Sequence, residues 1–158
     1  MSKGVIITGA SGFIGSEFIH SIKSMNIAYL GLSRKKNYKK LRWSQNYMDL
    51  DSYKEQYPIC VHLAGDNDVN SADDNEIQIT QHLADIFGPN LVYISSSYVY
   101  GNKNKTLINE TCDINIINSY AKRKVYCEKI VLNKLGSVLR LSNVYGFGMT
   151  NNIFNHIY

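Results

Sequence analysis

Tyr120 and Lys124 stand four positions apart in SYAKRK, within a stretch whose spacing predicts a helix over 118–135. One helical turn brings such residues onto one face, where both can address one ligand. A phenol with an ordinary pKa of about 10 is a poor acid or base near neutrality, and an ammonium held beside it favours its ionised form. The pair can therefore serve as a proton donor and acceptor. By itself it can equally be a surface pair on an amphipathic helix.

A second chemical signal lies at the other end of the chain. TGASGFIG (8–15) places Gly9, Gly12 and Gly15 between an apolar run and a helical pattern. Glycine serves where the chain turns sharply, where backbone must approach a phosphate, and where a helix packs closely on a strand; the helix N-terminus then offers free N–H groups. The strand–turn–helix context points to a dinucleotide pyrophosphate, with Ser11, Phe13 and Ile14 completing the candidate loop. The next strand ends at Leu32-Ser33-Arg34-Lys35, without the acidic residue that binds adenosine ribose hydroxyls. Ser33 and Arg34 therefore favour NADP, with NAD as the second choice. A solvated basic loop is the other reading of Arg34 and Lys35.

These residues need a scaffold. Strands are predicted at 4–8 (GVIIT), 27–32, 59–64 (ICVHLA), 91–95 and 138–141, with a short one near Tyr47-Met48 and a turn or short helix at 51–57. Helices are predicted at 13–25, 73–87 and 118–135. The 73–87 helix would face inward through Ile77, Ile79, Leu83, Ala84, Ile86 and Phe87, and Gly88-Pro89 would stop it. Alternation of strands and helices implies a doubly wound parallel α/β sheet in one domain over 1–158. In such a sheet the carboxyl ends of the strands line a ligand crevice, so Ser96 can face a helix that starts beside it.

Composition is that of an ordinary globular chain: 158 residues, 44% hydrophobic, 19% charged, net charge +4. The basic residues are scattered apart from 34–40 and the cluster Lys122-Arg123-Lys124, which argues against a nucleic-acid partner. Cys60, Cys112 and Cys127 are odd in number and lack CxxC spacing, so reduced thiols and no metal site are expected. With no leader pattern and no apolar run of membrane-spanning length, a cytoplasmic protein without a membrane partner is expected.

Five segments occur in an order that resembles the extended short-chain dehydrogenase/reductase family, in particular its nucleotide-sugar epimerases, dehydratases and reductases. They are TGASGFIG, HLAG (62–65), YISSSYVYG (93–101), YAKRK with Glu128 beyond it, and LRLSNVYG (139–146). The resemblance implies a Rossmann-like three-layer αβα sandwich. It implies Tyr120 as general acid/base, Lys124 as the residue that lowers the phenol's pKa and binds the nicotinamide ribose, and Ser96 as the group that holds the reacting substrate oxygen. It further implies Asp49 and Leu50 at the adenine, Leu63, Ala64 and Gly65 along the cofactor, and Ser97, Tyr98 and Asn143 at a nucleotide-sugar. A plain turn competes for Asp49 and Asn143, aromatic wall or core for Tyr98 and Tyr100, and His62 reads as a packed core histidine. A homodimer is the family habit.

Several positions depart from the family pattern. Ser97 and Tyr98 stand where its dehydratases carry an acidic pair, which favours epimerisation or keto reduction. The stretch after HLAG is short and lacks the asparagine-glycine-threonine pattern, Arg123 replaces a serine, and Phe147 replaces a proline. The family continues into a smaller substrate-gripping lobe, whereas this chain reaches Tyr158 within an expected helix at 151–157. The C-terminal lobe is therefore expected to be missing, and a truncated, non-catalytic dinucleotide-binding module is the alternative to an enzyme.

Overall fold

The computed structural model describes residues 3–33, 41–42, 47–66, 68, 74–102 and 107–146. Its strands are β1 (Val5–Thr8), β2 (Tyr29–Ser33), β3 (Leu41–Arg42), β4 (Ile59–His62), β5 (Leu91–Ser96) and β6 (Ser137–Leu141). Its helices are α1 (Phe13–Ser24), α2 (Asn75–Phe87) and α3 (Ser119–Asn133). All strand pairs are parallel, in one six-stranded sheet ordered β3-β2-β1-β4-β5-β6.

The layers follow from strand alternation. In β1, Ile6 and Ile7 point to opposite faces and both are fully buried. Ile7 packs with Ala10, Phe18, Ile19 and Ile22 beneath α1. Ile6 joins Leu83, Phe87, Tyr93, Cys127 and Val131 on the side of α2 and α3. Helices therefore cover both faces, which is why β1 can be apolar throughout rather than alternating with polar residues. Thr8 lies beside Leu32 of β2 on one flank and His62 of β4 on the other. The order in which strands are added reverses between β1 and β4, the topological switch point at which such sheets place a ligand crevice.

One local expectation changes. Tyr47-Met48 belongs to a 3₁₀ segment, Tyr47–Tyr53, and not to a strand; the place beside β2 is taken by Leu41–Arg42, with Leu41 opposite Leu32. The run MDLDSY has Asp49, Asp51 and Ser52, which favour turns over a pleated ladder. Ser97–Tyr100 forms a 3₁₀ turn directly after β5. Arg34, Lys35, Phe147 and the expected 151–157 helix lie outside the described residues.

Candidate active site

The glycine loop is shaped by close approach. Gly9 has φ +67°, and a Cβ there would lie 2.8 Å from the Ala64 amide nitrogen. A Cβ on Gly15 would fall 2.2 Å from the Gly9 carbonyl oxygen, so α1 can begin against the loop only with glycine. Gly12 is the N-cap, and the first intrahelical bond runs from the Ser16 N–H to the Gly12 carbonyl. The N–H groups of Phe13, Ile14 and Gly15 precede it and are the donors a helix start leaves over. Ser11 and Ser33, 2.5 Å apart through their hydroxyls, fasten this loop to the end of β2. Such a cradle, which side chains would fill, suits a diphosphate. Gly15→Ala should destabilise the fold by about 1–3 kcal/mol through overpacking and raise the dissociation constant for any dinucleotide, checked by urea denaturation and nicotinamide fluorescence.

His62 locks β1, β4 and α2 together. The Thr80 hydroxyl donates to the Glu76 carbonyl (2.7 Å), so it must accept from His62 Nε2 (3.0 Å). Nδ1 then accepts from the Thr8 hydroxyl (2.6 Å), which itself accepts from the Ala64 N–H. Every polar atom is satisfied with the ring neutral. Full burial lowers the imidazole pKa to about 3, Glu76 acting to raise it and Lys124 to lower it. His62 is thus the packed core residue its apolar neighbours predict.

The tyrosine–lysine helix is started by Asn118, whose side-chain oxygen accepts from the Ala121 N–H (2.8 Å). Tyr120 lies in the first turn of α3 and Lys124 in the second. Both line a cleft of about 130 Å³. Ile14, Leu63, Ser96, Ser142 and Val144 line it as well. The Ser96 oxygen accepts from the Tyr98 N–H (3.2 Å), which leaves the hydroxyl hydrogen to donate. The Tyr98 ring stands edge-on to Tyr120 at 6.0 Å and steadies it. The Lys124 ammonium lies 5.6 Å from the centre of the Tyr120 ring.

Beneath the cleft is a charge cluster that sequence reasoning missed. Lys124 is only 6% exposed, and its Nζ donates to Glu76 Oε1 at 2.8 Å and to the Ile94 carbonyl at 3.4 Å. Glu76, itself buried, also accepts from the Tyr93 hydroxyl (2.8 Å), Arg123 Nε (3.3 Å) and the Asp66 N–H (3.3 Å). Arg123 continues to the Asp66 carboxylate at 4.0 Å. Burial works to raise the Glu76 pKa, but Lys124, the Tyr93 hydroxyl and the Asp66 amide outweigh it and hold the carboxyl below its ordinary range. The signal was present in the pattern: 76, 80, 83, 84 and 87 form one helical stripe, which places Glu76 on the inward face of α2.

A second cluster supports the turn after Ser96. Ser95 donates to Glu128 Oε1 at 2.6 Å, and Arg140 grips both carboxylate oxygens at 2.8 and 2.7 Å. Arg140 also donates to the Tyr100 hydroxyl at 2.7 Å, its guanidinium lying over that ring. Tyr100 is core, whereas Tyr98 is 45% exposed.

The remaining candidates divide. Gly65 lines the cleft with Leu63, while Ala64 meets the loop at Gly9. Ser97 follows Ser96 in the 3₁₀ turn, outside the cleft lining. Asn143 is exposed between the lining residues Ser142 and Val144 and is not itself one of them. Leu50, expected at an adenine ring, is only 5% exposed and packs with the main core. Asp49 lies in that segment.

Residues 5–157 match the sequence profile of the NAD dependent epimerase/dehydratase family. The chain belongs to this family. Solved structures agree on the fold. MoeE5 in complex with UDP-glucose and NAD superposes with a TM-score of 0.81 at 24% identity, over 96% of this chain and 58% of that one. UDP-N-acetylglucosamine 4-epimerase from Bacillus cereus gives 0.81 at 24% identity, over 95% and 59%. UDP-glucuronic acid 4-epimerase from Bacillus cereus, in complex with UDP-glucuronic acid and NAD, gives 0.78 at 21%, over 90% and 57%. The chain thus spans somewhat under three fifths of the length of these structures. None of the curated proteins compared matches the sequence.

Proposed function

We propose that the chain carries the dinucleotide-binding and catalytic part of an NAD(P)-dependent nucleotide-sugar epimerase or reductase. The observation that carries this reading is the convergence of Ser96, Tyr120 and Lys124 on one cleft that Ile14 of the glycine-loop helix also lines. Bound nicotinamide would supply hydride exchange with a sugar carbon. Tyr120 is the group to take or return the proton at the sugar oxygen, Ser96 donates a hydrogen bond to that oxygen, and Lys124 holds the ribose beside it. The first-turn N–H groups of α1 meet the pyrophosphate. Ser97 and Tyr98 supply no acid/base pair for elimination, which favours epimerisation or keto reduction over dehydration. The UDP-sugars in the solved neighbours make a UDP-hexose the first substrate to try. A cytoplasmic homodimer completes the proposal.

The neighbours were solved with NAD, whereas the sequence at Arg34 favours NADP. Titrating NADH and NADPH by nicotinamide fluorescence separates the two. If Arg34 meets a 2′-phosphate, Arg34→Ala weakens NADPH about tenfold or more and leaves NADH unchanged; equal affinities in the parent chain remove the NADP preference. Failure to bind either dinucleotide overturns the functional reading. Binding without turnover of any UDP-hexose leaves the non-catalytic module.

A further inference from the structure

We infer that Glu76 is a positioning residue for Lys124, holding the ammonium so that one N–H is presented to the cleft; this rests on the dinucleotide reading above. An ammonium has three N–H bonds. Lys124 places two of them on Glu76 Oε1 (2.8 Å) and the Ile94 carbonyl (3.4 Å), and because the side chain lines the cleft, the third is left for a ligand there. Glu76 is the counter-charge of this buried ammonium, 2.8 Å from a lysine only 6% exposed.

The carboxylate is itself immobilised. Tyr93 and the Asp66 amide donate to it from β5 and from the loop after β4, and Arg123 donates from α3. Glu76 and Asp66 together offset Lys124 and Arg123, so the cluster balances two negative charges against two positive. A flexible lysine stem with many rotamers is thereby reduced to one position before any ligand arrives. The cleft sits directly over this pair: a Cβ on Gly65 would lie 2.9 Å from Glu76 Oε1 and 3.0 Å from Lys124 Nζ. Gly65, which lines the cleft beside Lys124, thus leaves no room for a side chain against the pair.

The test is a double-mutant cycle on the full chain, with NADH as probe. Glu76→Gln keeps the shape and removes the charge; it should weaken NADH about tenfold. Lys124→Met should weaken NADH also, and adding Glu76→Gln to Lys124→Met should cost nothing more, since Glu76 acts through Lys124. Equal losses in both backgrounds would mean a structural role and overturn the inference. A readout independent of cofactor is the Lys124 ammonium ¹H–¹⁵N resonance, assigned by its absence in Lys124→Met. It should persist in the parent chain and vanish in Glu76→Gln with the amide spectrum otherwise retained. If the parent binds no NADH but the resonance behaves so, the anchoring stands and the dinucleotide reading falls. An ammonium resonance unchanged by Glu76→Gln overturns the anchoring. Should Glu76→Gln not fold, Tyr93→Phe, which removes one donor to the carboxylate, should give the same effects in weaker form; NADH affinity and resonance unchanged by it would also count against the inference.

Discussion

Replacing Tyr120 by phenylalanine is expected to lower turnover of a UDP-hexose by roughly 10²–10⁴-fold, the contribution of a positioned general acid or base. Dinucleotide affinity should change little. The substitution removes one oxygen and keeps the ring, so the edge contact with Tyr98 at 6.0 Å and the placement of Lys124 at 5.6 Å are retained. The helix start is also unaffected, because Asn118 caps it through the Ala121 N–H. A loss confined to kcat, with NADH titrating as in the parent chain, is the signature of a group that acts on the reacting oxygen. Ser96→Ala should lower kcat in the same sense. Its oxygen also caps the turn through the Tyr98 N–H, so some of that loss belongs to displacement of Tyr98. If Tyr120→Phe keeps turnover within about tenfold of the parent, the phenol is not the proton carrier and the proposed chemistry is wrong.

The sheet and its glycine loop were legible because their signals are local. GVIIT is too short for a helix and too apolar for an exposed strand, and glycines at 9, 12 and 15 follow it at once. The 118–135 helix was legible from spacing, and the observed bounds, Ser119–Asn133, differ only at the frayed ends. β3 was not legible: two residues, Leu41 and Arg42, carry no periodicity, and their pairing with Leu32 and Ser33 is a tertiary fact. The charge cluster was missed for a different reason. Lys122-Arg123-Lys124 reads as a solvated basic run, yet Arg123 and Lys124 are 4% and 6% exposed. What buries them is Glu76, 47 and 48 residues earlier, and no local pattern announces a partner at that distance. Of the inward face read for α2, Leu83, Ala84, Ile86 and Phe87 are buried, whereas Ile77 and Ile79 pack only at the core's margin, and Glu76 and Thr80 are buried instead.

Those two buried polar positions explain how the site is held rigid without a larger apolar core beneath it. Thr80 joins His62 to the Glu76 carbonyl, while the Glu76 carboxylate joins Lys124 and Tyr93. One helical turn of α2 therefore fixes both the end of β4, where the loop passes the glycine cradle, and the lysine of α3. Breaking such a buried pair on one side typically costs about 3–5 kcal/mol. Its isosteric replacement is gentler, which is why glutamine and not alanine is the informative change at position 76.

Acid should destabilise the fold earlier than its carboxylates alone would allow. In the unfolded chain His62 takes a proton near its ordinary pKa of 6.5, whereas in the folded chain burial holds that back to about 3. Between these values the unfolded chain binds a proton that the native chain does not. Stability therefore falls as pH falls, by about 1.4 kcal/mol per pH unit well below 6.5, or about 3 kcal/mol between pH 7 and pH 4. Against a typical total of roughly 5–15 kcal/mol this is a large fraction. Glu76 works in the same direction at lower pH. Its folded pKa is depressed, so its stabilising share is present above the ordinary value of 4.5 and lost as pH falls through the folded one. The window from 6.5 to 4.5 thus isolates the histidine. Urea denaturation at stepped pH should show the slope there, and His62→Gln, less stable at pH 7, should flatten it by one proton. A parent chain whose stability is level across that window would mean that the ring is charged or solvated in the native state. The Thr8–His62–Thr80 hydrogen bonds could then not be directed as their donors and acceptors require, because a protonated ring has no nitrogen left to accept from Thr8.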